Sequence, residues 1–367
     1  MRVSASLCWA IRLATFAIWA CLPRFAAAQD ASADRGRLFD FSNLTLGSDS
    51  GRTLSILGDA LPPAVVLLDM SVPPGIAGTV PIGDSTLWAP KQRITSQPTY
   101  LSMFRQDASV GFPILGDGRN LLVGFVDLRE VNFRTNARLT DSSQRFPNDL
   151  WAVAGGVQYF HKTDEGWTVG GGFSMGSPSD RPYESLRVIV PSMNAFARVP
   201  AGPDSDAWLF SITWAPVSVI RFPVPGVAYE WNVSDRLQVV AGVPFSVVWR
   251  LTDDLRLDVG YLPPYQMRAQ LTQRVLPWMD VFVGFESVSD AYLLAERQRR
   301  RDLFYSYEKR LPAGLRFDIG KHVVLDAVGG YLFNRHYFSS ASFFDESRDR
   351  VHIAPSAYLM LRLAIKF

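Results

Sequence analysis

The sequence predicts an all-β fold: a transmembrane, antiparallel, up-and-down β-barrel of about 12 strands (range about 10–14) behind a short irregular N-terminal arm. Three observations carry this expectation. Apolar residues alternate with polar residues or glycine over many segments from about Thr99 onward, the N-terminus reads as an export signal, and the chain ends on an aromatic residue that closes an alternating strand.

The N-terminus sets the compartment. Arg2 and Arg12 flank the start of an apolar stretch, Ile11 to Leu22, which is followed by Pro23, Arg24, Phe25 and three alanines before Gln29. A basic start, a short apolar core and small residues before a polar one describe a secretory signal peptide, residues 1–28, cleaved after Ala28. A membrane anchor needs roughly 20 apolar residues, and Arg12 interrupts this one. Cleavage before Cys21 as a lipoprotein is disfavoured by Trp19 and by the Leu22-Pro23 start it would leave. Removing the signal takes three of the 37 basic residues, none of the 35 acidic ones and both cysteines, Cys8 and Cys21. The remainder is near neutral and cysteine-free, which excludes disulfide scaffolds and cysteine metal sites and argues against nucleic acid as a partner.

Residues 29–95 read as an irregular arm. Asp30 to Arg37 is polar, and Leu61-Pro62-Pro63 and Val72-Pro73-Pro74-Gly75 bracket a short apolar run, Ala64 to Leu68. Proline removes amide donors and glycine loosens the chain, so the arm either hangs in the periplasm or tucks into the pore as a small plug.

Residues 96–367 read as the barrel. Trp151, Val153, Gly155, Val157 and Tyr159 share one parity, as do Trp167, Val169, Gly171, Phe173 and Met175, then Trp208, Phe210, Ile212 and Trp214, and Met279, Val281, Val283 and Phe285. Side chains alternate across a strand, so each run presents one apolar face. No apolar run after the signal reaches helical spanning length. Soluble sandwiches alternate too, but these segments are longer than the usual five or six residues and carry aromatic residues near their ends, as spanning strands do. Asn232–Asp235 and Thr252–Asp254 both read as short periplasmic turns with one long segment between them; either Gly242-Val243-Pro244 is itself a turn making two short strands, the reading that proline favours, or one of the two loops lies on the outer side.

The closing strand is the most specific signal. Leu359, Leu361, Leu363, Ile365 and Phe367 alternate with Tyr358, Met360, Arg362, Ala364 and Lys366. A terminal aromatic with apolar residues at every second position resembles the assembly signal of Gram-negative outer-membrane barrels, which implies the barrel assembly machinery as a partner. A soluble protein would normally blunt so long an apolar edge with charge.

If the apolar parity faces lipid, the other faces the lumen, where Arg256, Asp258, Arg268, Arg274, Asp280, Glu286, Arg316 and Asp326 form a mixed-charge interior. A tight turn at Gly320-Lys321-His322 sets Arg316 opposite Asp326, and a corner at Pro263-Pro264 sets Asp258 opposite Arg268. Such cross-strand pairs contribute about 0.2–1 kcal/mol each and knit the wall.

Catalytic signals are weak. Gly172-Phe173-Ser174-Met175-Gly176 matches G-x-S-x-G, but a nucleophile elbow needs a strand running into a helix, and here a strand runs into Ser177-Pro178-Ser179-Asp180. His161, His322, His336 and His352 are scattered, and no metal, phosphate or calcium motif is present. No catalytic, cofactor or metal site is therefore expected. Arg297, Arg299, Arg300 and Arg301 form a basic loop that falls outside when counted back from a periplasmic C-terminus; guanidinium groups suit lipopolysaccharide phosphates.

The stretch Phe222-Pro-Val-Pro-Gly226-Val-Ala-Tyr229-Glu230-Trp231, followed by Ser234-Asp235-Arg236-Leu237, Gly242-Val-Pro244-Phe245 and Leu251-Thr252-Asp253, resembles an uncharacterised family of bacterial outer-membrane β-barrel proteins. The resemblance implies the fold and the cell outer membrane, with lipid and lipopolysaccharide around the wall, and transfers no catalytic residue. The expected function is non-enzymatic, structural or a narrow passive channel for small solutes. The alternatives are a transporter for hydrophobic compounds with the arm as plug, and an outer-membrane lipid hydrolase.

Overall fold

The computed structural model describes residues 82–365, apart from 118, 203–205 and 346–347. The expected signal peptide, most of the arm and Phe367 lie outside the described residues. Strands run in chain order as β1 (Ile82–Arg93), β2 (Tyr100–Gly116), β3 (Asn120–Thr135), β4 (Asp149–Lys162), β5 (Thr168–Ser179), β6 (Val190–Pro200), β7 (Ala207–Trp214), β8 (Val224–Ser234) and β9 (Leu237–Gly242). They continue as β10 (Phe245–Arg250), β11 (Leu255–Leu262), β12 (Gln266–Leu276), β13 (Met279–Tyr292), β14 (Leu303–Ile319), β15 (Val323–Ser340), β16 (Val351–Ile353) and β17 (Ser356–Ile365).

Successive strands from β1 to β16 pair antiparallel, and β1 pairs with β17 from Ile82↔Ile365 to Trp88↔Leu359, which closes the sheet. β16 is not a separate stave: β15 pairs with β17 through Leu332↔Ser356 and with β16 from Arg335↔Ile353, so the two are one wall strand broken at Ala354-Pro355. Proline supplies no amide to the ladder, which accounts for the break. The described residues thus build sixteen wall strands rather than about 12. β1 is one source of the difference: its outward parity carries Asp84 and Thr86 while Leu87 and Ala89 are buried, so it reads as polar chain rather than barrel. The wall accordingly starts at Ile82, inside the segment expected to be arm.

The two ends differ. At the end holding both Ile82 and Ile365, strands join through two to six residues, as at 235–236, 277–278 and 320–322. The opposite end carries the longer connections 136–148, 180–189, 215–223 and 293–302. At the short end, Gly320 adopts φ +66, a left-handed conformation that only glycine takes without strain. At the long-loop end, Gly242, Val243 and Pro244 turn β9 into β10 as expected; Gly242 has φ +148, and a Cβ there would meet the Val227 carbonyl.

Height varies around the wall. β2, β3, β14 and β15 have 16 to 18 residues, whereas β9 and β10 have six each. β13 pairs with β12 only up to Ser287. Above that point it crosses the interior: the Leu293 amide donates to the Pro178 carbonyl at 2.8 Å, and Leu293 bridges Ser179 in parallel. The tall strands β13–β17 and β1–β5 thereby close into a narrower cylinder above a wide base. The cylinder is packed, with Phe133, Phe146, Phe304 and Tyr337 meeting edge-to-face or stacked at 5.2–5.8 Å between ring centroids and Leu101, Val131, Leu332 and Met360 in the same cluster.

The outward faces below this cylinder are apolar and exposed: Phe173, Met193, Ile212, Val227, Val283 and Leu361 among others. Their neighbours of opposite parity, such as Gln158, Asn194, Glu230, Asp258 and Arg268, are buried inside. So large an apolar belt has no place in water. A closed, even-numbered antiparallel barrel with short turns at one end and long loops at the other is the build of an outer-membrane barrel, and this chain has it.

Candidate functional site

All eight sequence-derived lumen residues lie on inward-facing positions. Arg316 and Asp326 face each other in register and form a two-pronged pair, Nε to Oδ1 at 2.8 Å and Nη2 to Oδ2 at 2.7 Å. The expected Asp258–Arg268 pairing is corrected. The 263–265 connection sets Asp258 opposite Gln270 and Arg268 opposite Gly260; Asp258 instead accepts from Arg256 on its own strand at 2.7 Å. A two-residue slip keeps every side chain on its face and changes only partners. Arg268, Arg310 and Arg362 converge on buried Glu286 at 3.5, 3.9 and 3.1 Å, and Arg274 lies 3.7 Å from Asp280.

A second charged group was not foreseen. Arg105 on β2 and Arg129 on β3 both reach Asp107 and both reach Asp290 on β13, on the far side of the cylinder. A further set joins Arg335 to Glu308 and Gln92. These sets and the aromatic core fill the part of the interior bounded by the tall strands. There the rule that the apolar parity faces lipid and the other faces the lumen is corrected: above the membrane belt the strand faces exchange character. On β3, Val131 and Phe133 turn inward while Glu130, Asn132 and Arg134 turn outward, and that inversion is visible in the sequence.

What remains open lies on the other side, between β4–β12 and the crossing segment of β13. Its long-loop half is an apolar vestibule walled by Ala152, Ala154, Val190, Ala215, Val224 and Pro264. Small hydroxyls of Ser174, Ser192, Ser211 and Thr213 punctuate it, and Tyr292 and Asp290 form one edge. Here the lumen-facing parity carries alanine, serine, glycine and valine, residues too small to fill the space between the walls. Val217 and Val219 from the 215–223 loop pack beside Val188, Leu293, Phe338 and Phe343 to roof it. The short-turn half is a polar pocket lined by Arg236, Arg250, Asp253, Asp254, Arg256, Asp258, Arg274 and Asp280. Between the two, Arg198 donates to Glu230 at 2.8 Å and Gln238 to the same carboxylate at 3.0 Å.

Ser174 sits in the middle of continuous β5, with no sharp turn to present it as a nucleophile. Among the described residues no group of three or more histidine, aspartate or glutamate side chains is arranged to hold a metal. The basic loop lies at the long-loop end. Arg297 donates to the Leu294 and Arg300 carbonyls, Arg299, Arg300 and Arg301 are exposed, and partial burial beside Arg300 pushes the Arg297 pKa down. Of the closing-strand residues, Leu359 and Leu361 are exposed on the outer face, and Leu363 and Ile365 share their parity.

No family model and no curated protein matches the chain. Solved structures to which the chain is similar include an outer membrane channel from Pseudomonas putida F1, at 10% identity over 79% of this chain and 96% of that one, with a TM-score of 0.35. OccK7 (OpdD) of Pseudomonas aeruginosa is similar at 11% identity over 79% and 99%, with a TM-score of 0.35. A TodX monoaromatic hydrocarbon channel variant is similar at 7% identity over 78% and 89%, with a TM-score of 0.38.

Proposed function

We propose that the protein is a non-enzymatic outer-membrane barrel that admits small, uncharged, predominantly apolar compounds from the long-loop side, and is not a wide aqueous pore. The apolar vestibule carries this reading. A water-filled channel is lined by polar and charged side chains, as the short-turn pocket is. The vestibule instead offers mainly methyl groups, proline rings and isolated hydroxyls, its charge confined to the paired Arg129 and Asp290 at one edge, the lining of a site for an apolar molecule with at most a small polar group. The charged sets that occupy the tall half leave the β4–β12 side as the route.

Equilibrium binding of radiolabelled naphthalene to the barrel held in an amphipathic polymer tests this. Saturable binding is expected, and Ala154→Trp, which fills the vestibule, weakens it at least tenfold; Asp253→Asn at the far pocket leaves it unchanged. A milder filling variant, Ser211→Leu, guards against misfolding, and the heat-dependent gel shift of barrels reports whether each variant folds. Absence of saturable binding, or equal binding by the filled variants, overturns the reading. A sealed structural barrel is the second reading, favoured by the packed cylinder, and predicts no binding at all.

A further inference from the structure

We infer that the vestibule opens sideways into the outer leaflet of the membrane, over the low wall at β9–β10, and that its ligand is a lipid-phase molecule that enters from the bilayer rather than from water. This rests on the reading of the vestibule as an apolar binding site.

The inference follows from heights that the structure fixes internally. Trp167, Trp208, Trp231, Trp249 and Trp278 all lie at the short-turn end, and each is between 43% and 52% exposed on the outer face. Such a ring marks a membrane–water interface, because the indole combines an apolar body with a polar N–H. Trp249 therefore sits at interface level on β10, and the β9–β10 turn begins only five residues above it, at Pro244. Five residues advance about 17 Å along a strand, or about 12 Å along the membrane normal at a tilt of 45°, against an apolar band about 25 Å tall. The rim of this sector ends near the middle of the hydrocarbon. β14, by contrast, extends 14 residues from Phe317, which stacks on Trp278, up to Leu303 and clears the band.

The rim residues are vestibule residues. Val224 and Gly226 at the start of β8, Val243 and Pro244 at the β9–β10 turn, and Pro264 at the β11–β12 corner all line the cavity. Beside them, Phe222 is 66% exposed. Acyl chains thus lie against an edge whose inner side is the apolar cavity. A molecule dissolved in the leaflet reaches that cavity without crossing a polar layer, whereas one arriving from water has first to pass the loops 180–189, 215–223 and 293–302.

Site-directed bimane labelling tests the portal in the full chain reconstituted into phosphatidylcholine vesicles. Cys8→Ser and Cys21→Ser remove the only native cysteines. Val243→Cys (rim), Ser211→Cys (vestibule) and Asp253→Cys (short-turn pocket), each introduced singly, are then compared for quenching by phosphatidylcholine carrying a nitroxide at mid-chain and by aqueous iodide. The expected result is lipid quenching at Val243 and Ser211 at least threefold above that at Asp253, with iodide quenching in the reverse order. Iodide-dominated quenching at Val243, or lipid quenching at Val243 with none at Ser211, overturns the portal. If naphthalene still binds saturably in either case, the vestibule stands and only its sideways opening falls; loss of naphthalene binding removes the site itself.

Discussion

Arg105 Nη1 donates to Asp290 Oδ2 at 3.0 Å, joining β2 to β13 across the interior between residues 185 positions apart. Arg129 takes the other Asp290 oxygen, and both guanidinium groups also hold Asp107. Two cations and two anions alternate, with Asp290 as the one member on the far wall. This arrangement fixes where β13 crosses, and with it the boundary between packed cylinder and open vestibule.

Removing Asp290 leaves two buried guanidinium groups sharing one carboxylate. Breaking a buried charge set by deleting one partner costs about 3–5 kcal/mol, whereas replacing the whole set by apolar side chains of similar volume is often neutral. Asp290→Ala is therefore expected to lower the unfolding free energy by about 3 kcal/mol or more in urea titrations of the lipid-reconstituted barrel. The quadruple replacement Arg105→Met, Asp107→Leu, Arg129→Met, Asp290→Leu is expected to recover most of that loss. Equal stability of Asp290→Ala and the parent contradicts the role given to this contact.

The Arg316–Asp326 pair gives a second, smaller expectation. It borders the polar short-turn pocket, and the Arg316 guanidinium also lies 5.8 Å from the Phe282 ring centroid. Solvent from the pocket offsets part of what Arg316 loses without its partner. Asp326→Ala should cost about 1–3 kcal/mol, the penalty for an under-satisfied buried donor, and less than Asp290→Ala in the same titration. A cost exceeding that of Asp290→Ala reverses the ranking and places the dominant charge set at the base of the barrel.

These two contacts separate what was legible in the sequence from what was not. Arg316 opposite Asp326 follows from a tight turn and strict alternation, both local. The division at Gly242–Pro244 is legible for the same reason, since proline cannot continue a strand ladder. Arg268 misses Asp258 because the 263–265 corner holds three residues after Leu262↔Gln266, and alternation is blind to an even slip. Strand number fails where the outward parity is polar: β1 shows Asp84 and Thr86 outward beside Leu363 and Leu361 of β17, and upper β3, above the apolar belt, shows Glu130 and Asn132. Asp290 with Arg105 and Arg129 was beyond reach, because nothing local states that β13 bends across to β5. The vestibule left only a faint trace, the small residues on the inward parity of β4–β8.

Asp180 supplies a pH-dependent expectation at the long-loop end. Its Oδ1 accepts the Ala295 amide at 2.8 Å, tying the 180–189 loop to the 293–302 loop that carries the arginine cluster. Burial raises its pKa, and the hydrogen bonds from Ala295 and Ser179 only partly oppose that. A carboxyl whose folded pKa is raised binds its proton more tightly in the native state, so its contribution to stability is most favourable at low pH. That contribution declines as pH rises from the unfolded value, about 4, through the raised folded value, and stays at its reduced level above. Asn at this position keeps an oxygen for the Ala295 amide and never carries the buried charge. Asp180→Asn is therefore expected to raise the urea midpoint relative to the parent at pH 7 and to lose that advantage below about pH 4. Urea titrations of both proteins at pH 3.5, 5 and 7 check this; a variant less stable than the parent at pH 7 shows that the carboxylate charge itself, through Arg181 nearby, holds the two loops together.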